Sequence, residues 1–105
     1  MIALFCKLII GHFLADYPLQ GDYLAKAKNH RSPVPGVPFY QALLAHAAIH
    51  AGAVWYITGS GHLAIGEFFL HTVIDYLKCD GKLSFNQDQI AHAICKLGYV
   101  VVVAF

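Results

Sequence analysis

Four apolar stretches of this chain each hold one pair of His or Asp residues spaced four apart: His12/Asp16, His46/His50, His71/Asp75 and Asp88/His92. On an α-helix, residues four apart project from one face, one turn above the other. Each stretch must therefore turn a polar stripe inward, because isolated imidazoles and carboxylates are costly against lipid or apolar side chains. With 7 His and 5 Asp in 105 positions, random placement would give about one such pair. Four pairs, evenly distributed, predict four helices packed around a shared polar layer.

Local punctuation bounds the stretches at 2–17, closed by Tyr17-Pro18; 38–58, closed by Gly59; 63–79, closed by Asp80-Gly81; and 85–105. Ser84 followed by Gln87 is a capping-box pattern and starts the fourth helix. Asp22 to Asn29 reads as a short amphipathic helix, with Asp22 and Lys26 at a favourable i,i+4 spacing. A Pro-rich connector follows it. The expected architecture is a single all-α domain over residues 1–105, a four-helix up-down-up-down bundle with that short helix between helices one and two.

Composition favours a membrane around this bundle, since 58% of residues are hydrophobic and only 12% are charged, about half the charged share of ordinary soluble domains. The second stretch runs 20 residues without a formal charge, near the ~20 needed to cross a hydrocarbon core, and the shorter first and third stand at the lower edge of that range. Lys26, Lys28, Arg31, Lys78 and Lys82 fall in or beside the first and third connectors, whereas the second has no Lys or Arg. By the positive-inside rule those connectors are cytoplasmic and both termini lie outside. Tyr40, Trp55 and Tyr56 suit the aromatic belts at the two ends of the second helix. The N-terminus lacks a basic leader and a small-residue cleavage site, so it reads as a retained helix. A net charge of +1 without a basic stripe leaves no footprint for nucleic acid. Cys6, Cys79 and Cys95, an odd set without CxxC spacing, read as packing residues.

Up-down connectivity supplies a depth for each pair. His12/Asp16 and His71/Asp75 come late in helices running towards the cytoplasm, and His46/His50 and Asp88/His92 come early in helices running away from it, so all four meet in one layer. Five imidazoles and three carboxylates are a donor set for zinc first, with manganese or iron as alternatives. Eight donors exceed one tetrahedral ion and suit two divalent ions sharing a carboxylate, an arrangement that activates water for displacement at phosphorus or carbon. The plainer alternative is four hydrogen-bonded core pairs. Glu67 and Lys96 extend the stripes of helices three and four about 12 Å deeper than the connector-side ligands. They either form a buried pair or act as an acid/base behind the ligands and an anion clamp. Lys78, Gln20 and Gln89 lie near the cytoplasmic mouth, where they would meet a polar head group. His30 and His62 have no spaced partner and read as surface residues.

The segments "GHFLADYPLQGDYLAKAKN", "LLAHAAIHAG", "FFLHTVIDYLKCD" and "NQDQIAHAICKLG" resemble the DUF3307 domain of small bacterial and phage proteins, over nearly the whole chain. The pattern is matched at His12, Asp16, Gln20, His46, His50, His71, Asp75, Lys78, Asp88, Gln89 and His92. The resemblance implies a membrane-embedded protein, hence a multi-pass protein of the bacterial inner (cytoplasmic) membrane, and no settled activity. More distantly, the helices resemble membrane-bound metal-dependent hydrolases and the zinc phospholipase C and nuclease group.

These readings converge on a metal-dependent hydrolase acting on a phosphoester, lipid or nucleotide, with membrane lipid as its surroundings and a homo-oligomer compatible with its faces. Two alternatives stand beside it. The polar layer of a non-catalytic membrane protein would store or pass metal, or fix packing, in a structural, regulatory or transport role. A soluble helical regulator would oligomerise through its apolar faces.

Overall fold

The computed structural model describes residues 1–32 and 34–105. Five helices follow one another: α1 (Ile2–Asp16), α2 (Gly21–Ala27), α3 (Phe39–Thr58), α4 (Gly61–Cys79) and α5 (Phe85–Ala104). Among the described residues there is no strand. Contacts close the long helices into a ring, with α1 against α3, α3 against α4, α4 against α5 and α5 back against α1, and α2 resting on α3. Asp75 meets His92 while Glu67, two turns earlier on α4, meets Lys96, one turn later on α5. That pairing requires α4 and α5 to run antiparallel.

The ends follow the local chemistry. Ser84 and Gln87 form the complete capping box of α5, satisfying donors that a first turn otherwise leaves open. Gly59 ends α3 in the left-handed region, at φ 72°, which glycine enters without a Cβ clash. The third long helix starts at Gly61 rather than 63, because the Ser60 hydroxyl accepts from the Leu63 amide and caps it. Gly11 lets α1 and α3 come close: a Cβ there would stand 2.9 Å from Ile57 Cδ1.

Among the described residues no single helix is long and apolar enough to cross a membrane, although α1 and α2 together pass that test across an 84° bend. The expectation that the second long helix would qualify by itself is not met. Its 20 residues suffice in length, but Gln41, His46 and His50 dilute its hydropathy, and α1 stops after 15 residues. A small apolar cluster of Leu8, Val54, Tyr99 and Val100 fills one end of the interior. The interior also buries Ala15, Ala27, Ala42, Leu43, Ala47 and Ala64, together with a group of polar and charged side chains.

Candidate metal centre

Among the described residues the buried polar or charged ones are His12, His46, His50, His71, His92, Asp75, Asp88, Glu67, Lys28 and Lys96. Each of the four i,i+4 pairs turns inward from its helix, and the Nε2 atoms of five imidazoles face carboxylate oxygens. Asp16 Oδ1 is 2.9 Å from His50 Nε2 and 3.3 Å from His46 Nε2, and Asp16 Oδ2 is 3.1 Å from His12 Nε2. Asp75 Oδ2 is 3.3 Å from His46 Nε2 and 3.4 Å from His71 Nε2, and Asp75 Oδ1 is 3.2 Å from His92 Nε2. Asp88 Oδ1 is 3.4 Å from His92 Nε2.

Three donor groups emerge among the described residues; one, Glu67 with His71 and His92, shares its imidazoles with the other two, which have no residue in common. Asp16, His46, His50 and His71 form one of those two sets, and Asp75, Asp88 and His92 form the other, with the donor atoms of each set within 4.8 Å of one another. Donors about 2.1 Å from a tetrahedral ion stand about 3.4 Å apart, close to the separations above. Asp75 turns one oxygen to each set and is placed to bridge them. His46 Nε2, His71 Nε2 and Asp88 Oδ1 are buried without a hydrogen-bond partner, an arrangement that hydrogen-bonded core pairs would not leave. The residues could therefore hold a metal ion. His12 joins neither set and donates from Nε2 to Gln89 Oε1 at 3.0 Å.

Glu67 and Lys96 form the buried pair that the sequence left as one of two arrangements, with Lys96 Nζ donating to both carboxylate oxygens at 2.7 and 2.8 Å. Glu67 also accepts from His71 Nδ1 at 3.1 Å. A carboxylate behind a ligating imidazole fixes its tautomer and raises its basicity, so Glu67 positions His71. Neither Glu67 nor Lys96 lines the cleft that opens above the layer.

That cleft, about 210 Å³, is lined by Asp16, Asp75 and Asp88 from the donor sets and by Gln20, Gln89, Lys28 and Lys78 at its mouth. Three of the four mouth residues were expected from sequence. Lys28 was read there only as a connector charge, yet it is buried and donates to Asp75 Oδ2 at 2.8 Å and to Gln20 Oε1. Lys78 Nζ lies 4.9 Å from the Phe85 ring centroid, a cation–π contact beside the cleft. His30, expected at the surface, stacks on Tyr76 at 4.1 Å and donates to Asp80.

No curated protein and no solved structure matches this chain. A family model described as a protein of unknown function, DUF3307, matches residues 4–104, and the chain belongs to that family.

Proposed function

We propose that this DUF3307 protein is a membrane-embedded four-helix bundle that holds two divalent ions, zinc by first choice, and hydrolyses a phosphoester in the cleft above them. The observation that carries the reading is the pair of donor sets joined by Asp75 beneath an opening flanked by two ammonium groups. Bound there, two ions would lower the pKa of water and stabilise charge developing at phosphorus. The chain's own part is to seat the anion and to orient the donors. Lys28 and Lys78 face the phosphate, Gln20 and Gln89 offer amides to its oxygens, and Glu67 fixes His71. In the reaction water's oxygen bonds phosphorus, the ester P–O bond breaks, and the leaving alkoxide takes a proton from that water.

Membrane placement rests on an inverted distribution of polarity. Glu67, His71 and Asp75 line the inside of α4 while Ile65, Phe69 and Val73, two positions offset, are exposed. On α5, Asp88, His92 and Lys96 are inside and Ile90, Ile94 and Leu97 outside. An apolar exterior of this extent is unfavourable in water and favourable in hydrocarbon.

Elemental analysis of gently purified, reconstituted protein tests the metal reading. The expected result is about two first-row divalent ions per chain, one lost in Asp88→Ala and both in Asp75→Ala combined with His71→Ala, with helix content retained. A folded chain that takes up no stoichiometric metal after dialysis against zinc, manganese or iron would sink it.

A further inference from the structure

Resting on the hydrolase reading above, we propose that the substrate is a lipid phosphoester whose acyl chain lies in the seam between α1 and α5 while its phosphate sits in the cleft. The seam is a groove of about 330 Å³ walled by Phe5, Ile9, Phe13, Ile90 and Ala93. Gln89 lines both this groove and the cleft. At the junction His12 donates to Gln89 Oε1, and Gln89 Nε2 donates to Asp16 Oδ2 at 3.1 Å. Gln89 thus divides an apolar channel from a donor set within the reach of one side chain. The groove opens to the side, where Phe13 and Ile90 are exposed.

The two compartments have opposite chemistry. The cleft presents Lys28 and Lys78 to an anion, and the groove beyond His12 and Gln89 presents only hydrocarbon. An amphiphile matches both, whereas the sugar and base of a nucleotide would bury hydrogen-bonding groups against Phe5, Ile9 and Ala93 without partners. The larger groove between α1 and α3, about 630 Å³ and including Leu14, Ala53 and Ile57, shares none of the cleft's residues. It serves as the comparison site.

The test reconstitutes the full, metal-loaded chain in phosphatidylcholine vesicles doped with phosphatidic acid that carries a photoactivatable diazirine on one acyl chain. Labelled positions are mapped by mass spectrometry, and release of inorganic phosphate is followed in parallel. Labelling should concentrate on Phe13, Ile90 and Ala93, and Ala93→Trp should cut it at least about tenfold, a factor that corresponds to about 1.4 kcal/mol of lost chain contact. Ile90→Trp, at the exposed lip, reads the same site if Ala93→Trp misfolds, and Leu14→Trp in the comparison groove should leave labelling unchanged. Labelling spread evenly around the bundle, or centred on Leu14 and Ile57, overturns the seat, even if water-soluble para-nitrophenyl phosphate is hydrolysed and the hydrolase reading stands. Seam labelling lost in Ala93→Trp but without phosphate release keeps the lipid seat and overturns the hydrolysis on which it was built.

Discussion

Lys28 holds a cation against the oxygen that a metal would take. Its ammonium is 2.8 Å from Asp75 Oδ2, in a layer that also holds the Asp16 and Asp88 carboxylates, and it offsets part of their negative charge. Removing it from the metal-free protein leaves a buried negative cluster, which costs roughly 3 kcal/mol when a buried pair loses one partner. Lys28→Met should therefore melt early without metal and recover when zinc or manganese is added, with ion affinity raised about tenfold because no ammonium competes for Asp75. Thermal melts and competitive ion titrations read both effects, and weaker ion binding in Lys28→Met would contradict the assignment. Glu67 and Lys96 give the opposite pattern. Replacing both, as Glu67→Gln with Lys96→Met, removes the ion pair without leaving a lone charge, so stability should change little. Ion affinity should nonetheless fall about tenfold, since His71 loses the carboxylate behind its Nδ1. Unchanged affinity in that double variant would reduce Glu67 to packing.

At the scale of elements, the segment that carries Lys28 is fastened to the end of α4. Arg31 donates from Nε to Asp80 Oδ1 at 2.8 Å, His30 donates to the same oxygen at 3.1 Å, and Lys82 stands 3.4 Å from the other. These groups, the Arg31 hydrogen bond first and the His30 bond next, hold the Asp80 carboxyl down at about 2. A depressed carboxylate stabilises the fastening fully above its ordinary value of 3.8 and loses that contribution as pH falls through about 2. Amide exchange at Asn29 and Ser32, whose N–H groups bond Lys26 and Asn29 carbonyls, should thus accelerate over that window. Asp80→Asn should show the faster exchange already at neutral pH, and equal protection in both proteins would remove the fastening from the account. The helices it joins were legible because their ends are local chemistry: Ser84 with Gln87, Gly59 and Asp80-Gly81 each mark a boundary within a few residues. Ser60 was less legible, since "GSGH" reads as a loop until its hydroxyl is seen to cap α4. Lys28 was not legible as a site residue, because Asp75 is 47 positions away and no periodicity links them.

At the scale of the whole molecule, the convergence of four pairs on one layer was readable from helix order and depth, as was the place of Gln20, Lys78 and Gln89 on one cleft. Which of the eight polar residues fall into which donor group, and that His12 falls into none, was not, because it depends on rotation of each helix about its axis. That rotation puts His12 on Gln89 and gives Asp75 to both sets. The same rotation turns Ile94 and Leu97 outward, and what surrounds them decides the protein's setting. In a bilayer the cost of a charge depends on depth: Arg at the centre of a spanning helix costs about 2.5–3.5 kcal/mol, whereas near an end it snorkels to the interface. Ile94→Arg should therefore strongly reduce membrane-inserted, folded protein, while Val103→Arg near the end of α5 should leave it almost unchanged. Both positions are exposed, so a soluble chain in water would tolerate either change, and a soluble oligomer would respond by contact rather than by depth. Fractionation of cells expressing each variant, with the inserted fraction measured after alkaline extraction, separates these settings. A parent chain that elutes as a defined species without detergent would place its apolar surface against copies of itself and remove the bilayer from the account.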